Sequence, residues 1–196
     1  MSRSHLTAVL AAFALAGCGL LTAPRTISPQ FFVLNAVAVE SGTATPIHIG
    51  LGPVSLPSYL DRPEMARRVD PNQIAYDAEA RWAESLQGNF QRTVAANLVL
   101  LLHPTRIEYF PWYRTAKFDA IVTIAVSRFE EQPDGTVALM VRWTVRDGTD
   151  VTQVVRDSVY TAPAGTPDQN AAALSSLVGE LSQEIAATIQ ARVARE

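Results

Sequence analysis

The sequence predicts an α/β fold, a mixed sheet of about five or six strands packed by two long helices. Three observations predict it. Residues 136–146 alternate, with Val137, Leu139, Val141, Trp143 and Val145 on one side and Arg142, Thr144 and Arg146 on the other. That is the period of a strand with one buried face. Leu174, Leu177, Leu181, Ile185, Ile189 and Val193 recur at helical spacing near the C-terminus. Trp82, Leu86, Phe90, Val94 and Leu98, with Leu101, do the same earlier, which predicts a helix over about 77–103.

The N-terminus has its own logic. Arg3 precedes an uncharged apolar run, Leu6 to Ala16, which ends in Leu15-Ala16-Gly17-Cys18. The run is too short to span a bilayer, which takes about 20 apolar residues. Small residues before the lone cysteine suit a signal peptidase. A thiol can carry a diacylglycerol thioether, and the freed α-amine can take a further chain. Residues 1–17 therefore read as a lipoprotein signal peptide, with Cys18 as the lipidation site. Two acyl chains suffice for stable anchoring. Gly19 follows the cysteine where aspartate commonly signals inner-membrane retention, which favours the outer membrane, facing the periplasm. Residues 18–30, with Pro24 and Pro29, read as a tether, and 31–196 as a single domain.

Within that domain, Phe31 to Val39 is apolar on both sides and predicts a buried strand. Ser41 to Pro46 is turn chemistry, and Ile47 to Val54 a second strand. Pro53, Pro57 and Pro63 argue against a helix or a central strand across 53–63 and for an ordered loop with apolar anchors. Asp70-Pro71-Asn72 is a turn signal between two short β-prone runs, a small hairpin. Pro104 stops the first helix, and Thr105 to Phe110 reads as a strand. Phe118 to Phe129, Thr136 to Arg146 and Val151 to Tyr160 form a meander around Pro133-Asp134-Gly135 and Asp147-Gly148. Thr166-Pro167-Asp168-Gln169 is a capping box with proline at the first helical position, opening the second helix.

Composition bounds the function. Removing residues 1–17 leaves 196 − 17 = 179 residues, and losing Arg3 moves the net charge from −3 to −4. Neither nucleic acid nor an anionic surface is bound by overall charge at that balance. With Cys18 lipidated no disulfide forms within the mature chain, so packing must supply stability. His48 and His103 stand apart with no metal-ligand spacing. Gly50-Leu51-Gly52-Pro53 lacks a third glycine and a following helix, and no nucleophile elbow occurs. Asp61 and Glu64 sit among Arg62, Arg67 and Arg68, which suits an ion-paired loop better than an acid pair. No catalytic constellation, cofactor or metal site emerges, so the chain is not expected to be an enzyme. Tyr109-Phe110-Pro111-Trp112-Tyr113 crowds aromatics at a strand-to-loop junction, either covering the sheet or forming a lipid- or partner-contact patch.

The stretch Gly52-Pro53-Val54-Ser55-Leu56-Pro57-Ser58-Tyr59-Leu60-Asp61-Arg62-Pro63 resembles the signature of the ABC-type transport auxiliary lipoproteins of the PqiC type. So do Arg81-Trp82-Ala83-Glu84-Ser85-Leu86, placed at the start of the first helix, and Asn97-Leu98. The lipobox and the closing amphipathic helix also fit. The resemblance implies a three-layer α/β fold similar to the TolB N-terminal domain. It implies an outer-membrane lipoprotein that works with a mammalian-cell-entry (MCE) domain protein in lipid transport between membranes, with any ATPase on a separate subunit. Tyr59, Leu60, Asp61, Arg62, Arg81 and Trp82 are the candidate partner-binding residues. A Pro-bounded loop bearing Tyr, Asp and Arg suits recognition, and the alternative is that Asp61 and Arg62 merely pin the loop to the helix start. Two other functions stay open: a lipid-binding carrier that holds phospholipid between sheet and helices, and a regulator of a cell-wall synthase. Homo-oligomerisation is also left open.

Overall fold

The computed structural model describes residues 28–40, 44–113, 115–148 and 153–195. The lipobox with Cys18 lies outside them. In chain order the elements are β1 (Gln30–Phe32), β2 (His48–Ser55), a 3-10 turn (Ser58–Leu60), β3 (Glu64–Asp70), β4 (Gln73–Trp82), α1 (Leu86–Leu102), β5 (Arg106–Tyr109), β6 (Ala120–Glu131), β7 (Thr136–Arg146), β8 (Gln153–Pro163) and α2 (Pro167–Val193).

The meander forms as the alternation predicts. β6, β7 and β8 pair antiparallel, and Val137, Leu139, Val141, Trp143 and Val145 are all buried. On the opposite face Arg142 meets Asp157 in an exposed, two-pronged ion pair. Both helices pack on the buried face. The Trp143 indole N–H donates to Ser158 Oγ, which donates to Glu184 of α2. From α1, Gln87 and Gln91 donate to the carbonyls of Val54 and Leu51 on β2, and Phe90 meets Phe129 edge to face.

β6 organises the rest. One edge pairs with β7 throughout, and the other is shared by two parallel strands. β2 pairs with its first half, from Ile49 opposite Ala120 to Ser55 opposite Ala125, and β3 meets its end, Arg67 opposite Glu131. Between these the edge has no strand beside it, and there β6 bulges against β7 between Val126 and Arg128. A bulge bends a strand, so β6 turns where its partner changes. β5 extends the sheet beyond β2, and β4 then β1 extend it beyond β3. The sheet is mixed and has eight strands, more than the five or six expected. On the face away from the helices the loop after β5 covers one end, where the Phe118 ring would meet a Cβ on Gly50 at 3.1 Å.

Several local expectations are corrected. The run Phe31 to Val39 yields a strand only over Gln30–Phe32. Beyond it the chain straps across the two helices: Asn35 N–H donates to Ser175 of α2, and the Val37 and Ala38 N–H groups donate to Asn97 Oδ1 of α1. Leu34 and Ala38 are buried in the seam while Val33, Val37 and Val39 are exposed, so the segment is apolar on both sides for a reason other than burial in a sheet. The helix expected over 77–103 begins only at Leu86. Residues 73–82 instead pair with β3, because Asp70-Pro71-Asn72 turns the chain back on itself. Trp82 is buried as expected, but from a strand. Pro53 lies within β2, a central strand, at an irregularity between Leu51 and Val54. A bulge is where a strand tolerates proline. The second helix starts on the expected capping box, and among its stripe residues only Val193 is exposed.

The strap lies close on α2 because Gly179 has no side chain: a Cβ there would sit 2.6 Å from Val37 Cγ2. Gly179→Leu is expected to destabilise the fold by about 1–3 kcal/mol through overpacking. Gly88, also helical, has nothing within 4 Å of a built Cβ, and Gly88→Ala should stabilise by about 0.5–1 kcal/mol through helix propensity. Urea unfolding of the two variants measures both.

Candidate functional site

The segment Leu56 to Pro63 links β2 to β3 and fills the gap in the β6 edge. Its fixing groups point inward. Leu60 is buried in the core. The half-buried Tyr59 donates its hydroxyl to Glu130 Oε2 at 2.9 Å and approaches the Ser127 carbonyl at 3.3 Å. The single phenol hydrogen goes to the carboxylate, and the side chain occupies the stretch of β6 edge that no strand reaches.

Glu130 is the hub. Its side chain is fully buried, and each oxygen is used. Oε1 accepts from Arg68 Nε and Nη2, both at 3.0 Å, and from Gln132 at 3.3 Å. Oε2 accepts from Tyr59 and from the Phe129 N–H at 2.7 Å. A charge can stay buried when its partners are this complete. Burial first, and then the negative Glu130 beside it, push the Tyr59 phenol up to about 12.

The next layer is set by the β3–β4 hairpin. Tyr76 donates its hydroxyl to the Tyr59 carbonyl at 3.1 Å, and the Arg62 guanidinium lies 4.4 Å above the Tyr76 ring. Arg62 Nε reaches Glu64 Oε2 at 3.5 Å, and Arg81, paired across the hairpin, reaches Glu64 Oε1 at 3.6 Å. Glu64 therefore sits between two arginines, the ion-paired arrangement expected, while Asp61 stays out of it. Asp61 is exposed and its backbone N–H closes the 3-10 turn on Ser58. Trp82 stacks on Phe129 in the core, and its backbone N–H donates to the Pro63 carbonyl.

The six candidate residues are therefore brought together, in two roles. Tyr59, Leu60 and Trp82 hold the loop from beneath. Asp61 and Arg62 are presented outward, with Arg81 at the side. The loop is fixed to the hairpin rather than to a helix start. An open groove of about 360 Å³ runs beside it, lined by Phe31, Asp61, Arg62, Pro63, Trp82 and Leu86 together with Ala83, Glu84 and Ser85. Sequence reading placed Arg68 in an ion-paired loop but missed Glu130, which it pairs with, and Tyr76. Their signal was a Glu-Glu pair ending a long apolar strand, an unusual place for charge. Among the described residues no group of three or more His, Cys, Asp or Glu is placed to hold a metal ion. Among them too, no helix is long and apolar enough to cross a membrane.

The profile of the ABC-type transport auxiliary lipoprotein component family matches residues 32–186, from β1 into α2. The chain belongs to this family. No curated protein matches it. Among solved structures, the fold is similar to a DUF330 protein from Xanthomonas campestris at 13% identity and a TM-score of 0.71, covering 85% of this chain and 99% of that one. It is similar to a crystal structure titled as an uncharacterized protein at 15% identity and a TM-score of 0.61, with the same coverage, 85% and 99%. The PelC dodecamer from Paraburkholderia phytofirmans matches at 15% identity and a TM-score of 0.42, covering 80% of this chain and 94% of that one. Membership fixes the coarse role, an auxiliary lipoprotein component of ABC-type transport, and the likeness to the DUF330 protein shows the same mixed α/β architecture.

Two predictions follow from the hub. Arg68→Ala leaves Glu130 buried without its cation and is expected to cost about 3–5 kcal/mol, whereas Arg68→Met with Glu130→Leu should cost clearly less; denaturant unfolding compares them. The second concerns pH. A phenol raised on folding stabilises the fold fully below its unfolded value of 10.0, and that contribution is lost as pH rises toward about 12. The wild type should therefore lose stability over this alkaline window, and Tyr59→Phe should lose less of it.

Proposed function

We propose that this chain is a non-enzymatic tether in an intermembrane lipid transport system. Acyl chains on Cys18 would hold it to the outer membrane, facing the periplasm, and the surface around the Pro57–Pro63 loop would dock an MCE-domain protein. The transport setting follows from family membership. The observation that carries the docking role is how the loop divides its labour. Tyr59 and Leu60 are spent on holding it rigid, while Asp61 and Arg62, opposite charges on adjacent exposed residues with Arg62 steadied by Glu64 and Tyr76, stand at a groove lined by apolar residues and by Glu84 and Ser85. Preorganised charges beside an apolar wall give specificity without an ordering cost on binding.

The lipid-carrier alternative needs a cavity of acyl-chain size between sheet and helices, on the order of 300 Å³ or more. Phe90, Leu98, Trp143, Leu177, Leu181 and Ile185 fill that space and are fully buried, which weighs for the tether.

Capture of the MCE-domain partner tests the docking surface. Asp61→Ala with Arg62→Ala is expected to weaken binding by about tenfold or more, a loss of ~1.4 kcal/mol. Unchanged binding by this variant, folded as judged by circular dichroism, removes the loop from the interface. Labelled palmitate should enter the wild-type chain and not Cys18→Ala. Incorporation into both would sink the anchor.

A further inference from the structure

The loop after β5 is not used by the docking surface. Between Glu108 and Asp119 the sequence has no acidic residue; it has Tyr109, Phe110, Trp112, Tyr113 and Phe118, with Arg114 and Lys117 as the charges. Its inner half is anchored. Phe118 is buried over Gly50, Trp112 packs edge-on to Phe118 with ring centroids 4.8 Å apart, and Phe110 packs edge-on to Trp112 at 5.2 Å.

Its outer half is not. Tyr109 and Phe110 are each 47% exposed and Tyr113 is 87% exposed, with Pro111 and Lys117 exposed beside them. The flanking acids are drawn away from this tip. Glu108 Oε1 lies 3.1 Å from Arg106 Nε and 3.2 Å from His48 Nε2, and Asp119 accepts the His48 N–H at 2.7 Å. The result is a braced aromatic cluster beside which the described charge is the exposed Lys117, on a chain whose net charge is −3.

From this geometry we infer that the 109–118 loop is a second, reversible membrane contact, seating Tyr109, Phe110 and Tyr113 in the headgroup region of an anionic phospholipid surface. Tyrosine and tryptophan favour that boundary because each has an apolar body and a polar tip. Lysine near an anionic surface adds about 1 kcal/mol of attraction. The exposure of Tyr109, Phe110 and Tyr113 side by side suits insertion between headgroups. The charge distribution matches phospholipid phosphate, whereas the molecule as a whole would be repelled. The inference rests on the anchored-lipoprotein reading only in that an anchor keeps a bilayer within reach.

The test uses the full lipidated chain in vesicles of equal parts phosphatidylethanolamine and phosphatidylglycerol with brominated acyl chains, which quench indole fluorescence on contact. Trp82 and Trp143 are buried, so Trp112 is the reporter. The expected result is loss of the Trp112 share of the emission, abolished in Trp112→Phe and reduced by Lys117→Glu or by added salt. A second arm holds a His-tagged chain to the same vesicles through a nickel-chelating lipid, so that the loop is read even if Cys18 carries no acyl chain. Absence from vesicles in the first arm counts against the anchor alone. Vesicle-bound protein whose Trp112 stays unquenched in both arms overturns the membrane contact. So does quenching that survives with phosphatidylcholine alone and ignores both Lys117→Glu and salt, since that removes the anionic surface from the proposal.

Discussion

One edge of β6 has to serve two strands, and the fold around the candidate site follows from that. β2 leaves the edge at Ala125 and β3 joins it near Glu131. The backbone between them would be left without partners, a cost no folded protein leaves unmet. The chain meets it with side chains. Tyr59 reaches across from the connecting loop, and Glu130 gathers Arg68, Gln132 and its neighbour's N–H. The loop is rigid because it replaces a missing strand, and it is exposed because it lies where the strand would have been.

This explains why a surface loop in a transport auxiliary can be built from core-like residues. Leu60 and Trp82 are as buried as the helix stripes, although one belongs to a Pro-rich connection and the other ends a hairpin. Few groups of the loop, Asp61 foremost, are left without a part in holding it. The same division recurs after β5, where Phe118 and Trp112 brace the base and Tyr109 and Tyr113 remain outside.

Much of this was legible in the residues. The meander was, because Val137, Leu139, Val141, Trp143 and Val145 fall at every second position, and so was the closing helix, because Thr166 and Gln169 mark its start. The start of the first helix was not. Trp82 falls in phase with Leu86, Phe90 and Val94, so a buried strand residue extends a helical stripe by coincidence of spacing; the hairpin turn at Asp70-Pro71-Asn72 decides the matter, and its reach along β4 cannot be read locally. The strap over 33–40 failed for a related reason, since a β-prone run apolar on both sides looks in sequence like a buried strand, whereas only Leu34 and Ala38 are buried, against the helix seam. The loop from Pro57 to Pro63 was visible as a unit, but its support was not, because Glu130 lies 71 residues from Tyr59 and no local pattern connects them.

The path of the strap has a mechanical consequence. Tension drawn through the N-terminal segment meets the three-residue pairing of β1 with β4 first, then the Leu34 and Ala38 contacts and the bonds to Ser175 and Asn97, before any strand of the meander. Yielding under load therefore begins at the periphery and spares the body of the sheet. Since Phe31 lines the groove beside Asp61 and the Phe32 carbonyl accepts the Ala83 N–H, the first part to give also lines the groove, so that load on the N-terminal segment and the shape of the groove are linked by a single short strand.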